Sequence, residues 1–415
     1  MNFLEELEWR GLLKDVTNKE NLQKRMADPI TLYCGYDPTA DSLHVGHLQQ
    51  LILLKRYQKE GHHPIALIGG ATGMIGDPRP TTERSLLSNE DLQHNIKCLS
   101  EQITGILNSD NNPVKIVNNA EWLGEMTMLE FLRDYGKFFS VNTMLAKDTI
   151  ASRLSTGISF TEFSYTILQA IDYLHLYENH NVELQVGGSD QWGNLVSGTD
   201  LIRKVKGHEV EVFGATSYLI TKSDGSKFGK SEGENIWLDP KRTDAYTFYQ
   251  YFVNCSDDDI VDFTRRLSMT TPEEINALEA EFKEAPHKRA MQIALAKELT
   301  LLLHGEEGLA TAEAMTQALF SGNVQDLTSN QIRSAFADSN TINVSEDQNL
   351  VDLLIETKIM PSKREARQMI GQGAISVNGH VIKDLDYVVT KEQAFDKSLT
   401  LIRKGKKTYY ILNHE

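Results

Sequence analysis

The sequence predicts an α/β protein in which a domain built on a parallel sheet is followed by an all-helical domain and then by a small α+β domain. Three observations carry that prediction. At 415 residues the chain is too long for a single hydrophobic core, so two or three domains are expected. The first half alternates short β-branched runs with helical patterns, as strands joined by crossover helices do. From about Glu232 helical periodicity takes over, and from Asn349 the chain changes its charge balance.

Element by element, ITLYCGYDP (30–38) reads as a strand, LHVGHLQQLILLKRYQKEG (43–61) as a helix, HPIALIGGATGMIGDP (63–78) as a strand with a glycine-rich exit, and NPVKIVNN (112–119) as a further strand. Ligands of such sheets bind beyond the carboxyl ends of the strands. The loops YCGYDP and IGGATGMIGD lie there, with glycines where the backbone turns tightly or meets a ligand. These segments define a Rossmann-like domain over 1–231. EINALEAEFKEA (274–285) and HKRAMQIALAKELTLLLHG (287–305) are amphipathic helices of an all-helical domain over 232–322. Residues 323–348, rich in Asn, Ser, Asp and Thr, read as a linker, and 349–415 form the last domain.

Composition narrows the function classes. Apolar residues make up 40% and charged residues 24% of the chain, as in soluble globular proteins, and no apolar run is long enough to span a bilayer. The opening MNFLEELEWRGLL is acidic and amphipathic, unlike a signal peptide, so a cytoplasmic location is expected. Cys34, Cys98 and Cys255 are scattered and form no CxxC pair, which argues against a disulfide framework and a structural zinc site. A net charge of −16 counts against nucleic acid as a partner, yet the charge is unevenly placed. Residues 349–415 hold 11 Lys+Arg against 8 Asp+Glu, a net of +3, and the rest carries −19, so the tail alone suits a polyanion.

HVGH places His44 and His47 three residues apart, just before the apolar stripe Leu48, Leu51, Ile52 and Leu54, so both rings fall near one face of a first helical turn. Three readings fit the pair: metal ligands, a surface pair, or an anion site. The metal reading lacks a third ligand and a carboxylate of the HExxH kind, and no dedicated metal site is expected. The anion reading rests on the amides and dipole of the helix start, with Gly46 small enough for a flat ligand to lie against the backbone. SDGSKFGKSEG (223–233) then places Lys227, Lys230 and Ser231 on a glycine-punctuated loop after the strand-like SYLIT (217–221). Two cations on such a loop can close on a phosphate chain, although its glycines do not form a P-loop.

Together HVGH and KFGKS resemble the HIGH and KMSKS signatures of class I aminoacyl-tRNA synthetases. YCGYDPTADSLHVGH (33–47), SYTILQAID (164–172) and GGSDQWGN (187–194) further resemble the bacterial tyrosyl-tRNA synthetase family, over essentially the whole chain. The resemblance implies that Tyr33 and Asp172 bind the substrate phenol hydroxyl, that Asp77, Tyr165 and Gln169 hold its ammonium group, and that Gln191 lies near its carboxyl end. It places Cys34, Gly35, Asp37, Gly46, His47 and Asp190 around the adenosine and ribose of ATP. Thr39 and His44 then face the terminal phosphate, and Lys227, Lys230 and Ser231 close over the pyrophosphate. Independently of the family, Tyr165, Gln169 and Asp172 at i, i+4 and i+7 share one helical face, which favours a shared ligand. Groups poised for a buried hydroxyl are left unpaired by phenylalanine.

The chemistry the resemblance implies needs no protein nucleophile: the tyrosine carboxylate attacks the α-phosphorus of ATP, and the protein positions reactants and stabilises charge. Cys34 fits an inert buried thiol equally well. Mg2+ is expected to arrive with ATP. L-tyrosine, ATP and tRNA-Tyr are the expected partners of a homodimer, without a membrane. Two departures from the family pattern stand out: Gln50 replaces a smaller residue near the ribose, and the loop DPRPTTERS (77–85) is one residue short and lacks the family's lysine, for which Arg84 is expected to substitute. Alternative readings are a tryptophanyl-type synthetase and a catalytically silent RNA-binding protein of the same fold.

The tail SKREARQMIGQGAISVNGHVI (362–382) has a basic helix start and the hairpin signal Asn378-Gly379, and resembles the S-four-like RNA-binding module. Lys363, Arg364 and Arg367 share a helical face, and Arg403, Lys404, Lys406 and Lys407 add a second cationic patch. On a synthetase body such patches suit the phosphate backbone of structured RNA.

Overall fold

The computed structural model describes residues 1–77, 87–155, 157–226, 228–231, 234–321, 323–336, 339–405 and 408–414, with the backbone alone at 148, 149 and 231. The chain divides into two compact units, Met1–Thr243 with Phe252–Leu303, and Asp244–Tyr251 with His304–Glu415.

In the first unit five strands, β1 (Thr31–Tyr36), β2 (His63–Ile68), β3 (Lys115–Asn118), β4 (Val182–Gly188) and β5 (Phe213–Ser217), form a parallel sheet of order β3-β2-β1-β4-β5. The order reverses between β1 and β4, so their carboxyl ends diverge and leave the crevice where such sheets bind ligands. Strands β2 and β5 are almost continuously buried, as expected for parallel strands covered on both faces. Three helices frame the crevice: α1 (Val45–Lys59), α2 (Phe160–His180) and α3 (Trp192–Lys206). Helix α2 buries Ile167, Ala170, Ile171, Tyr173 and Leu174 in a cluster with Leu67, Val182 and Leu201. The expected SYLIT strand is displaced by four residues: β5 is FGATS, and SYLIT begins where it ends, because Phe213–Ser217 carries the buried run.

Helices Ile260–Leu267 and Pro272–Glu284 match the helical reading, the second capped by Thr271 and Glu274. The helix Ala290–Ser321 is interrupted at Gly305, whose φ of 69° and ψ of −175° are not helical. The chain passes between the units at 243/244, 251/252 and 303/304, the last beside that break.

In the second unit Ile375–Val377, His380–Val381, Leu399–Lys404, Thr408–His414 and Asn340–Val344 build another sheet, with Asn378 and Gly379 at positive φ in the expected two-residue hairpin turn. The linker reading of 323–348 is corrected here. Ser329–Ala335 is a helix capped by Thr328 and Gln331, and Asn340–Val344 pairs in parallel with Thr408–His414. Its Asn, Ser and Thr content reflects caps and a polar edge strand, whose exposed and half-buried residues leave little hydrophobic signal.

Candidate active site

A cavity of about 280 Å³ opens at the carboxyl ends of β1 and β4, walled by α2 on one side and the start of α1 on another. Its lining gathers Tyr33, Cys34, Gly35, Asp37, His47, Asp77, Tyr165, Gln169, Asp172, Asp190 and Gln191, contributed by segments far apart in sequence. Gln50 also lines it, its Nε2 donating to Ser217 Oγ at 2.8 Å.

At its deep end Asp172 is buried and accepts from Trp122 Nε1 at 2.8 Å and Asn119 Nδ2 at 3.0 Å. Burial lifts its pKa to about 7 against the pull of those two donors. The Tyr33 hydroxyl, buried on the neighbouring strand, has no hydrogen-bond partner among the described residues. An unpaired buried hydroxyl is costly, so this end is built for a ligand that brings its own polar group.

Nearer the mouth Tyr165 donates its hydroxyl to Asp37 at 3.2 Å, and Thr72 donates to the other oxygen of that carboxylate at 3.1 Å. The close packing depends on Gly69, where a Cβ would sit 2.3 Å from Asp37 Oδ1. Asp77 accepts from Gln191 Nε2 at 2.9 Å and from Asn194 Nδ2 at 3.4 Å. Burial, with lesser contributions from Asp37 and Asp190, raises its pKa to about 6, while the two amides hold it down. Cys34 is buried and pushed up to about 12, which leaves it a thiol without nucleophilic character.

The two histidines form the start of α1. His44 is its N-cap: Nδ1 accepts from the Gly46 N–H at 3.0 Å, while the His44 N–H donates to His47 Nδ1 at 3.3 Å. The rings lie 4.1 Å apart. Burial, then the nearby Lys230, lowers the His44 pKa; burial, then His44, lowers that of His47 to about 3. Both rings are therefore neutral at pH 7, and with each Nδ1 accepting, the proton stays on Nε2 as an uncharged donor.

The KFGKS segment lies against this helix start. A Cβ on Gly229, whose φ is +88°, would stand 3.2 Å from the Gly46 nitrogen. The Gly229 carbonyl accepts from Ile236, and the Ile236 carbonyl accepts from Val45. Phe228 packs edge-on against Phe263 at 4.8 Å. Lys230 is exposed, on a short strand with Ser231 that pairs with Glu234–Asn235. Lys227 lies outside the described residues, as does Arg84 with the loop from 78 onward. Thr39 is exposed and its N–H donates to the Asp37 carbonyl. Thr39, His44, Gly46 and Lys230 are not part of the cavity lining.

Sequence reasoning missed Asn119, Trp122, Thr72 and Asn194, which touch the candidate residues and hold them. The signal for the first two was the polar stretch immediately after the strand KIVN, at the carboxyl end where a parallel sheet places its site.

In the second unit Lys363, Arg364 and Arg367 are exposed on the helix Lys363–Gly371, with Lys363 paired to Asp352 at 2.5 Å. Lys404 donates through Nζ to the Ile359 carbonyl at 2.8 Å. Arg403 is half-buried, and Lys406 and Lys407 lie outside the described residues.

A ligand crevice at the sheet reversal, walled by a histidine-capped helix against whose start a glycine-lysine segment packs, defines the class of nucleotide-using α/β synthetases. The family described as "tRNA synthetases class I (W and Y)" matches residues 24–321, and the "Tyrosine--tRNA ligase SYY-like C-terminal domain" matches residues 331–412. "Tyrosine--tRNA ligase 2" of Bacillus cereus (strain ATCC 10987 / NRS 248) is 50% identical over 99% of both chains. "Tyrosine--tRNA ligase 1" of Bacillus anthracis is 49% identical over 100% of both. A C-terminally truncated mitochondrial tyrosyl-tRNA synthetase of Aspergillus nidulans superposes with a TM-score of 0.69 at 29% identity, over 76% of this chain and 94% of that one. The chain belongs to the tyrosine–tRNA ligase family of class I tRNA synthetases.

Proposed function

We infer that the chain joins L-tyrosine to tRNA-Tyr in two steps. The tyrosine carboxylate first attacks the α-phosphorus of ATP, forming tyrosyl adenylate and releasing pyrophosphate; a hydroxyl of the terminal adenosine of the tRNA then attacks the tyrosyl carbonyl and AMP leaves. The observation that carries the reading is the unpaired Tyr33 hydroxyl beside Asp172 at the closed end of the cavity. A phenol hydroxyl there can donate to Asp172 and accept from Tyr33; phenylalanine would leave the Tyr33 hydroxyl unpaired and bring no donor to Asp172.

In this reading Asp77, Tyr165 and Gln169 hold the ammonium group and Gln191 lies beside the carboxylate. Cys34, Gly35, Asp37, Gly46, His47 and Asp190 bound the adenosine, and Thr39 and His44 face the phosphates. Lys227, Lys230 and Ser231 neutralise charge developing on the pyrophosphate. Mg2+ accompanies ATP, whose phosphates supply its principal ligands. The working state is a homodimer in the cytoplasm. The large side chains Met128, Leu129, Leu132, Val141, Leu154 and Phe160 are all more than half exposed within one stretch of the first unit, which supports a protein partner there. Lys363, Arg364, Arg367 and Arg403 contact RNA phosphates. ATP–pyrophosphate exchange that depends on tyrosine and ignores tryptophan and phenylalanine is the expected result. Exchange driven by tryptophan, or no adenylate at all, would overturn the reading.

A further inference from the structure

Outside the groups assigned above, one polar network ends on two of them. Thr166, on α2 and 5% exposed, donates its hydroxyl to Asn194 Oδ1 at 2.7 Å. That bond holds the amide oxygen of Asn194 on α2, with Nδ2 on the opposite side. There it donates to Gln191 Oε1 at 3.1 Å and reaches Asp77 Oδ1 at 3.4 Å. Gln191 is then held with its own Nε2 on Asp77 Oδ2 at 2.9 Å. The polarity of the chain is set at its other end by the Asp77 carboxylate, which only accepts, and the Thr166 hydroxyl completes it by donating to the amide oxygen that this leaves.

We propose that Asn194, oriented by Thr166, is a positioning residue for amino-acid binding: it holds the Asp77 carboxylate and the Gln191 amide in the geometry that receives the substrate's ammonium and carboxylate groups. The inference rests on the roles proposed above for Asp77 and Gln191. Neither Thr166 nor Asn194 lines the cavity, so both act through their neighbours. The turn that carries Asn194 is fastened from outside as well, by Lys147 Nζ donating to the Gly193 carbonyl at 3.0 Å and to Ser197 Oγ at 2.5 Å. A backbone held in this way leaves the side chain of Asn194 as the adjustable member.

The charged and titratable groups around Asp77 set the sign of a pH effect. Asp37, after β1, and Asp190, in the turn before α3, both push its pKa up, as burial does; the amides of Gln191 and Asn194 pull it down. The ammonium of Lys147 and the phenol of Tyr165 also feel its charge. Losing the Asn194 amide removes a donor to the charged form, so the pKa rises further. Because kcat/KM reports the free enzyme, its acid limb for tyrosine moves to higher pH.

The test compares Asn194→Ala, Thr166→Val and Thr166→Ser in the full-length enzyme. KM for tyrosine and for ATP are measured in pyrophosphate exchange, with active sites counted by the adenylate burst. Asn194→Ala and Thr166→Val are expected to raise the tyrosine KM by about tenfold, the scale of a hydrogen bond to a charged group. Both variants shift the acid limb upward and leave the ATP KM unchanged, whereas Thr166→Ser keeps wild-type values. Equal rises in both KM values, an unmoved acid limb, or a Thr166→Ser enzyme as impaired as Thr166→Val would overturn the proposal. Asp77→Asn separates it from the reading it rests on. If Asp77→Asn leaves the tyrosine KM unchanged, the role of Asp77 itself fails; if it raises that KM while Asn194→Ala does not, only the positioning role fails.

Discussion

At the scale of single residues, charge and neutrality are divided between two sides of the site. His44 and His47 are held neutral by burial, so cationic help for a phosphate chain falls to lysine, and Lys230 is near enough to His44 to lower its pKa further. Lys230→Ala is therefore expected to slow adenylate formation by about 100-fold while leaving the tyrosine dissociation constant unchanged, since its partner charge develops in the transition state. Single-turnover kinetics beside equilibrium tyrosine binding check this, and a weakened tyrosine affinity with an intact rate would contradict it. On the other side, Asp77 must be ionised to hold an ammonium group. With its pKa raised to about 6 by burial, kcat/KM for tyrosine is expected to fall as pH drops through about 6, well above the range of an ordinary carboxylate. A profile flat from pH 7 down to pH 5 would remove Asp77 from that role.

At the scale of elements, the start of α1 joins the two signature motifs. A Cβ on Gly46 would lie 2.6 Å from His44 Cε1 and 2.8 Å from Nδ1, so Gly46→Ala displaces the capping ring. Loss of the cap costs about 1 kcal/mol, and the melting temperature is expected to fall by about 2–4 °C. Adenylate formation slows more than that loss explains, because the KFGKS backbone at Gly229 packs on the Gly46 nitrogen that the ring caps. A variant with a lowered melting temperature and a normal activation rate would show that the helix start only caps. This junction was partly legible in the sequence: the spacing of His44 and His47 and the apolar stripe after them announce the helix and its face. What spacing could not announce was that His44 caps through Nδ1, since histidine is not among the common N-cap residues. The support of Asp172 by Asn119 and Trp122 escaped for a related reason. The two lie about 50 residues before it, and only the pairing of β3 with β2 brings their turn beside α2.

At the scale of the molecule, composition separated the basic tail from the acidic body but misread the stretch joining them. The carboxyl-terminal 67 residues suggest a detachable module, yet the structure shows what a cut after residue 348 would expose. Asn340–Val344 would lose its partner strand Thr408–His414 and remain as an open edge. Met315, Val324, Leu327 and Ile332 would lose Leu399, Leu401 and Ile411, with which they form one buried cluster. The cavity with Tyr33, Asp77 and Asp172 lies wholly in the first unit and keeps all its lining residues. A chain ending at 348 is therefore expected to form tyrosyl adenylate at the wild-type rate per active site, to charge tRNA poorly, and to aggregate through its uncovered apolar face. Burst titration, tRNA aminoacylation and light scattering read the three outcomes separately. Polar replacements of Met315 and Ile332 in the truncated chain should restore its dispersion without restoring charging, because only the covering function of the tail is then replaced. A truncated chain that stays dispersed without those replacements would mean that the cluster contributes nothing to keeping this unit folded.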